Sequence, residues 1–290
     1  MKIYITSDIH LEFEDIDIKN EDNVDVLILA GDIMVAHDLH EHPHPIDTSS
    51  RLGSRQLAAI RYRNFLSRVS QAFPHVIYIA GNHEFYHGTW EETHEILRNE
   101  CSRFSNVYFI EKEDKIINDV VFVGSTLWTD LNNGDPLALY NANQVMNDFR
   151  IIRKKNLGYT KLKPADTVAA NRKSIEYFQN ILNVKPQLPH VVITHHTPTF
   201  LSCSPAYLHD RTTNYCYHNS LGEFILSHPQ IKLWVCGHTH YKHRYYVGDT
   251  LVTCNPRGYH GYEDTALNYK PVCIDLNNMP KSFDNVETTF

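Results

Sequence analysis

The sequence predicts a layered α/β protein. Short apolar runs that fit buried strands recur along the chain, most of them close on a glycine or a polar pair, and segments with helical spacing of apolar residues lie between them. Lys2 to Thr6, Val24 to Ala30, His75 to Ala80, Val107 to Ile110, Val120 to Ser125, His190 to Thr194 and the run closing at Cys236 read as strands, and Tyr241 to Val247 and Leu251 to Cys254 as two closing strands. Gln56 to Val69 carries apolar residues at 57, 60, 65, 66 and 69, the spacing of an amphipathic helix. Trp90 to Phe104, Asp166 to Leu182 and Leu221 to Ser227 read as further helices.

The 290 residues, 42% hydrophobic and 21% charged, are enough for a large core. We read them as one domain, 1–290, carrying a His-rich loop insertion at 33–52 and a mostly helical insertion at 131–190. The first of these holds His37, His40, His42 and His44 between prolines and acids and reads as a flexible rim over a cleft. The net charge of -7 argues against a nonspecific nucleic-acid binder or an anionic-membrane binder. No run reaches the roughly 20 apolar residues of a membrane helix. The first residues hold an apolar stretch too short for a signal segment, and the six cysteines form no Cys-x-x-Cys pair. A cytoplasmic protein with reduced, core-packed thiols is expected. The basic stretch 150–155 reads as a solvated face.

The chemistry lies at the strand exits. Leu233 to Cys236 is broken by Gly237 and followed by His238 and His240. In extended backbone such an i, i+2 pair points to one side, roughly 6.6 Å apart along the chain, so both imidazoles can face one cleft. Two polar loop histidines, in a chain that has 19, are the plain alternative. The first strand ends at Asp8-Ile9-His10, a second possible chelating pair. Gly31-Asp32, Gly81-Asn82-His83-Glu84 and His195-His196-Thr197-Pro198 close three others. In a layered α/β fold, strand ends converge on one crevice. Seven candidate ligands, Asp8, His10, Asp32, Asn82, His195, His238 and His240, are too many for one tetrahedral ion and suit two.

Asp-x-His, Gly-Asp, Gly-Asn-His-Glu, His-His-x-Pro and Gly-His-x-His, in this order over residues 8 to 240, resemble the calcineurin-like metallophosphoesterase superfamily. The resemblance implies a four-layer α/β/β/α sandwich, two mixed β-sheets flanked by helices, with a two-metal site at the strand ends. It implies Asp8, His10 and His240 on one ion, Asn82, His195 and His238 on the other, and Asp32 bridging both. His83 is implied near the leaving oxygen, as general acid or as a stabiliser of the transition state; a supporting role behind the ligands is the other reading of it. His196 then lies behind the ligands or faces solvent. Asn82, His83 and Arg257 are the candidate substrate contacts, although a structural ion pair suits Arg257 equally. Many relatives have Gly-Asp-x-x-Asp where this chain has Gly31-Asp32-Ile33-Met34-Val35, and Asp38 is the candidate substitute for the absent carboxylate.

The function so implied is a metal-dependent phosphoesterase that hydrolyses a phosphodiester or phosphomonoester by in-line attack of a metal-activated hydroxide. Two cations about 3.5–4 Å apart clamp a phosphoryl group and lower the pKa of a bound water. Manganese is the favoured metal; iron, zinc and nickel also suit the nitrogen and oxygen donors. The expected partner is a small phosphate ester, a nucleotide among the options. A nuclease of the same fold and a non-catalytic metal-binding scaffold are the alternatives.

Overall fold

The structure, a computed structural model, describes residues 1–47, 51–155, 159–210 and 212–279. The predicted strands build two sheets. In the first, β1 (Lys2–Thr6), β2 (Val26–Ala30), β3 (His75–Ile79) and β4 (Val107–Phe109) run parallel, and β13 (Val272–Asp275) joins antiparallel outside β1. In the second, β6 (Val120–Ser125), β9 (His190–Thr194), β10 (Ile231–Cys236) and β12 (Thr250–Cys254) are parallel neighbours in the order β12-β10-β9-β6. Antiparallel strands β5 (Glu113–Ile117) and β11 (His243–Val247) close its two edges.

Alternation along each strand divides the core into layers. Ile3, Ile5, Val26, Ile28, Ile77 and Ile79 meet Phe122, Val191, Ile193, Leu233, Val235 and Leu251 between the sheets. The intervening residues Tyr4, Leu27, Leu29, Val76 and Tyr78 face Tyr62, Phe65, Leu66 and Val69 of α2 (Ser54–Ala72) and Leu97 of α3 (Thr93–Cys101). On the far side Val192, Trp234 and Val252 pack on Phe178 and Leu182 of α7 (Pro164–Val184) and Ile225 of α8 (Gly222–Leu226). Three apolar interfaces define four layers, α/β/β/α. Strands covered on both faces need apolar residues at every position, which is why β2 and β9 show unbroken runs.

Several expectations change in detail. Part of the His-rich segment is helical: α1 (Ala36–Glu41) buries Ala36 and Leu39, three residues apart on one face, against the cluster that holds Tyr62 and Leu97. It is therefore not a loop throughout, and residues 48–50 of the segment lie outside the described residues. The helix read over Trp90 to Phe104 is only Thr93–Cys101, and the Trp90 N–H turns instead to the Arg153 carbonyl at 2.7 Å. Edge strand β5 carries polar, partly exposed residues, and β13 is only four residues long and mostly half-buried, so both give little periodic signal. Between 131 and 190 lie α4 (Leu131–Gly134), α5 (Pro136–Val145), α6 (Asp148–Ile151), the short pair β7 (Arg153–Lys154) and β8 (Thr160–Lys161), and α7. Within the basic stretch, Lys154 and Lys155 pair with Asp166 and Glu92. The six cysteines are free. Among the described residues no helix is long and apolar enough to cross a membrane.

Candidate metal centre

The parallel strands of each sheet deliver their C-terminal ends to one side, and there the sheets meet. Beyond β1, Ser7 bridges Pro256, just past β12 of the other sheet, and its N–H reaches the Asn255 carbonyl at 3.2 Å. The exits of β1 and β2 stay paired past the sheet, with Asp8 N–H on Gly31 O at 3.0 Å and His10 N–H on Asp32 O at 2.9 Å. The Gly237 N–H likewise reaches the His195 carbonyl at 2.9 Å, tying the exits of β10 and β9. Candidate ligands from five separate segments thus enter one crevice.

Two glycines of the motifs are explained by what approaches them. A Cβ on Gly81 would lie 2.1 Å from Asp32 Oδ1, and one on Gly237 would lie 2.7 Å from Asp8 Oδ2. Neither position can hold a larger residue without displacing a carboxylate from the centre. Asp8, His10, Asp32, His238 and His240 all adopt left-handed backbone, with φ between 49° and 73°. Such conformations cost about 1–3 kcal/mol each and persist where the surroundings over-determine them.

The side chains gather as two groups. Asp8, His10 and His240 form one: His10 Nε2 is 3.0 Å from His240 Nε2, and His240 Nε2 is 3.5 Å from Asp8 Oδ1. Asp32, His195 and His238 form the other, with His195 Nε2 at 3.3 Å from Asp32 Oδ1 and 3.0 Å from Asn82 Oδ1. Asp32 lies between them, its Oδ2 3.8 Å from His10 Nε2. The outer nitrogens are anchored. His10 Nδ1 meets Glu12 Oε1 at 3.0 Å, His240 Nδ1 meets Glu263 at 2.9 Å, and His195 Nδ1 meets the Ala30 carbonyl at 3.0 Å. Each acceptor draws the proton to Nδ1 and leaves the Nε2 lone pair facing inward, the arrangement of a metal-ligating imidazole.

The donor set fits a cation. His10 and His240 aim Nε2 atoms at each other across 3.0 Å, a contact that neutral imidazoles protonated at Nδ1 cannot stabilise by themselves. Asp8 Oδ2 and His238 Nε2 are buried with no hydrogen-bond partner, a costly state that a metal ion relieves. Without metal, protons take its place. Burial disfavours the charged forms of His83, His195 and His240, but the carboxylates of Asp32, Asp8, Glu12 and Glu263 more than offset it, raising His83 and His195 to about 9 and His240 to about 10.

The comparisons with known proteins bear on this geometry. A profile of the calcineurin-like phosphoesterase family matches residues 1–242. The chain belongs to this family. It is 28% identical over 296 residues to an uncharacterized protein of Acanthamoeba polyphaga mimivirus, covering 93% of this chain and 95% of that one. Its fold matches the crystal structure of phosphopantetheinyl hydrolase from Mycobacterium tuberculosis with a TM-score of 0.66 at 15% identity, over 96% of this chain and 98% of that one. This calcineurin-like phosphoesterase is a metal-dependent phosphoric ester hydrolase.

His83 sits at the edge of the cluster. Its N–H reaches Asp32 Oδ1 at 2.9 Å, its Nδ1 meets Glu12 Oε1 at 2.9 Å, and its Nε2 lies 3.2 Å from the Tyr259 hydroxyl. Asn82 is oriented through its amide, which donates to Asp148 Oδ1 at 2.8 Å and to the Tyr86 hydroxyl at 3.1 Å. His196 is not solvent-facing. It is buried, with Nδ1 3.3 Å from the Thr126 carbonyl and its ring 4.1 Å from that of His238.

The structure corrects the expectation for Arg257. Its side chain is only 3% exposed, and the guanidinium donates to the carbonyls of Ile9, Glu14 and Asp15 at 3.0–3.1 Å. It braces the segment after β1 from behind, which argues against a substrate contact, and among the described residues no carboxylate forms the alternative ion pair with it. Asp38 does not replace the absent carboxylate either, being held by the Tyr62 hydroxyl at 3.3 Å and lying 3.7 Å from Arg55. Glu12, Glu84, Asp148, Tyr259 and Glu263 were not singled out by sequence reasoning. Glu12 extends the Asp8-x-His10 alternation by one more step, the one available signal for it.

Two outcomes follow. Arg257→Ala should destabilise the protein by at least about 2 kcal/mol, since it strands buried carbonyls, with kcat/KM per folded molecule unchanged; urea denaturation and steady-state kinetics check this, and an unchanged stability with a raised KM would restore a substrate role. In metal-free protein the three raised histidines contribute stability fully below pH 6.5, their ordinary value, and lose it as pH rises through about 9 to 10. Melting of chelator-treated protein at a series of pH values should therefore fall across that window.

Proposed function

We propose that this phosphoesterase works with two divalent ions and hydrolyses a small phosphate monoester or diester, nucleotides included. Asp8, His10 and His240 hold one ion, Asn82, His195 and His238 the other, and Asp32 spans both. The observation that carries this reading is the placement of Asp32, which turns Oδ1 toward His195 at 3.3 Å and Oδ2 toward His10 at 3.8 Å. A single carboxylate with one oxygen on each side suits a bridge. The donors are imidazole nitrogens and oxygens, which accept manganese, iron, zinc or nickel, and manganese is our first candidate.

Bound divalent ions supply charge neutralisation at the phosphoryl group and a nucleophile drawn from water at neutral pH. The remaining work falls to the chain. Asp148 fixes the Asn82 amide so that its carbonyl oxygen faces the centre. Glu12 accepts from Nδ1 of both His10 and His83, so one carboxylate keeps both rings in register. Glu12 on its Nδ1 and Asp32 nearby favour a protonated His83. It offers that proton at Nε2 to the leaving oxygen, with Tyr259 beside it.

Chelator-treated protein tested on an activated phosphodiester and a matching monoester, with manganese, iron, zinc or nickel added back, should regain turnover, and the ratio of rates names the preferred ester. Asp32→Asn should lower metal content and reduce turnover by more than about 100-fold; wild-type activity and metal content in that variant would refute the bridge. His83→Ala should slow an alkyl ester, with its poor leaving group, by about 10²–10⁴-fold and an activated aryl ester far less. Equal losses on both would assign His83 to charge stabilisation rather than proton transfer.

A further inference from the structure

A second set of metal-ligating side chains lies outside the cleft. Cys236 and Cys254 end the neighbouring parallel strands β10 and β12 as register partners, and both turn to the helix-covered face of the second sheet. His243 opens β11, paired opposite Cys254. The two sulfurs and the imidazole nitrogen all lie within 4.8 Å of one another. Cys236 is fully buried, Cys254 is 1% exposed, and His243 is half-buried.

From this geometry we infer that Cys236, Cys254 and His243 form a site for a single thiophilic divalent ion, zinc in the first instance, separate from the catalytic centre. His243 Nδ1 lies 2.9 Å from the Tyr241 carbonyl, which fixes the proton there and leaves Nε2 as a bare lone pair 3.7 Å from Cys236 Sγ. This is the tautomer and orientation of a ligating histidine with its outer nitrogen on a backbone carbonyl. The spacing is also that of coordination. With zinc–sulfur bonds of about 2.3 Å and zinc–nitrogen bonds of about 2.0–2.1 Å in a tetrahedron, sulfur and nitrogen stand about 3.6 Å apart. His243, half-buried, is the exposed member of the site, and a water would complete a tetrahedron.

The site brackets a loop of interest. Cys236 and His243 flank residues 237–242, which carry His238 and His240. An ion joining these two residues to Cys254 closes that loop onto the sheet and couples edge strand β11 to its interior. Thiolates attract soft or borderline ions, whereas the cleft offers only nitrogen and oxygen, so the two sites differ in selectivity.

That difference makes the test clean, because no cysteine belongs to the cleft cluster. Reduced, metal-stripped full-length protein is titrated with cobalt(II), and the thiolate-to-cobalt charge-transfer band is followed in the near ultraviolet. The expected result is a band that saturates by three equivalents of cobalt, two of which the cleft can take, is about halved in Cys236→Ser and in Cys254→Ser, is lost in the double variant, and persists in Cys101→Ser, a buried cysteine on α3. Zinc added afterwards should displace the cobalt and bleach the band. Should a serine variant fail to fold, His243→Ala, at the half-buried member of the site, decides: its thiolate band should need at least about tenfold more cobalt to saturate. A wild type with no thiolate band, a band that survives the double variant, or a His243→Ala titration identical to that of the wild type would each overturn the assignment. None of these readouts depends on turnover, so the outcome is independent of the catalytic reading.

Discussion

The centre depends on one buried carboxylate that is not itself among the candidate ligands. Glu84, fully enclosed, accepts from the backbone N–H groups of Asp32, Ile33, Met34 and Gly81 at 2.6–3.2 Å and from the Tyr78 hydroxyl at 2.7 Å. These donors come from the exits of two adjacent strands, so one side chain fixes both turns relative to each other. Burial and the charge of Asp32 push Glu84 up to about 7, while its five donors pull the other way. With every oxygen already receiving hydrogen bonds, an added proton would face donors only. Ionised Glu84 is thus the state in which the Gly31-Asp32 and Gly81-Asn82 turns keep their shape.

This staple also explains how left-handed backbone is tolerated at the ligand positions. Asp32 is left-handed with φ 54°, and its N–H is held by Glu84 while its carbonyl receives the His10 N–H. The His238 N–H is fixed in the same way by Asp8 Oδ1 at 2.9 Å. Both conformations are local costs offset by buried hydrogen bonds from other segments. The gain is rigidity, because the ligands project from pinned turns, so the site requires little ordering when an ion arrives.

Legibility in the sequence followed burial. The interior strands could be placed within a residue or two because both faces are covered and their composition is uniform, as for β6 and β9, whose bounds match the reading. The edge strands β5 and β13 were missed because one is charged over half its length and the other spans only four residues, whereas β11, also a half-buried edge, shows in its Tyr-Tyr-Val run. The candidate ligand positions stood out because glycine and a chelating residue at a strand exit are a compact local signal. Arg257 was misjudged because a cation in a loop gives no sign of whether its guanidinium faces the cleft or the backbone behind it. Asp148 and Glu263 stayed invisible, since they act through folding contacts 66 and 23 residues away in the chain, and no local pattern records such distances.

One strand carries two kinds of donor, and the pleat separates them. Along β10 the residues alternate between the inter-sheet core and the helix-covered face, and Cys236, at its last position, falls on the helix side with Trp234. Gly237 then breaks the pleat and allows His238 to turn into the crevice, where a cysteine would compete for the same ions. The register that pairs Cys236 with Cys254 and places His243 opposite Cys254 brings sulfur to sulfur and imidazole to both. Soft and hard donors are therefore sorted by alternation alone, within three residues of sequence.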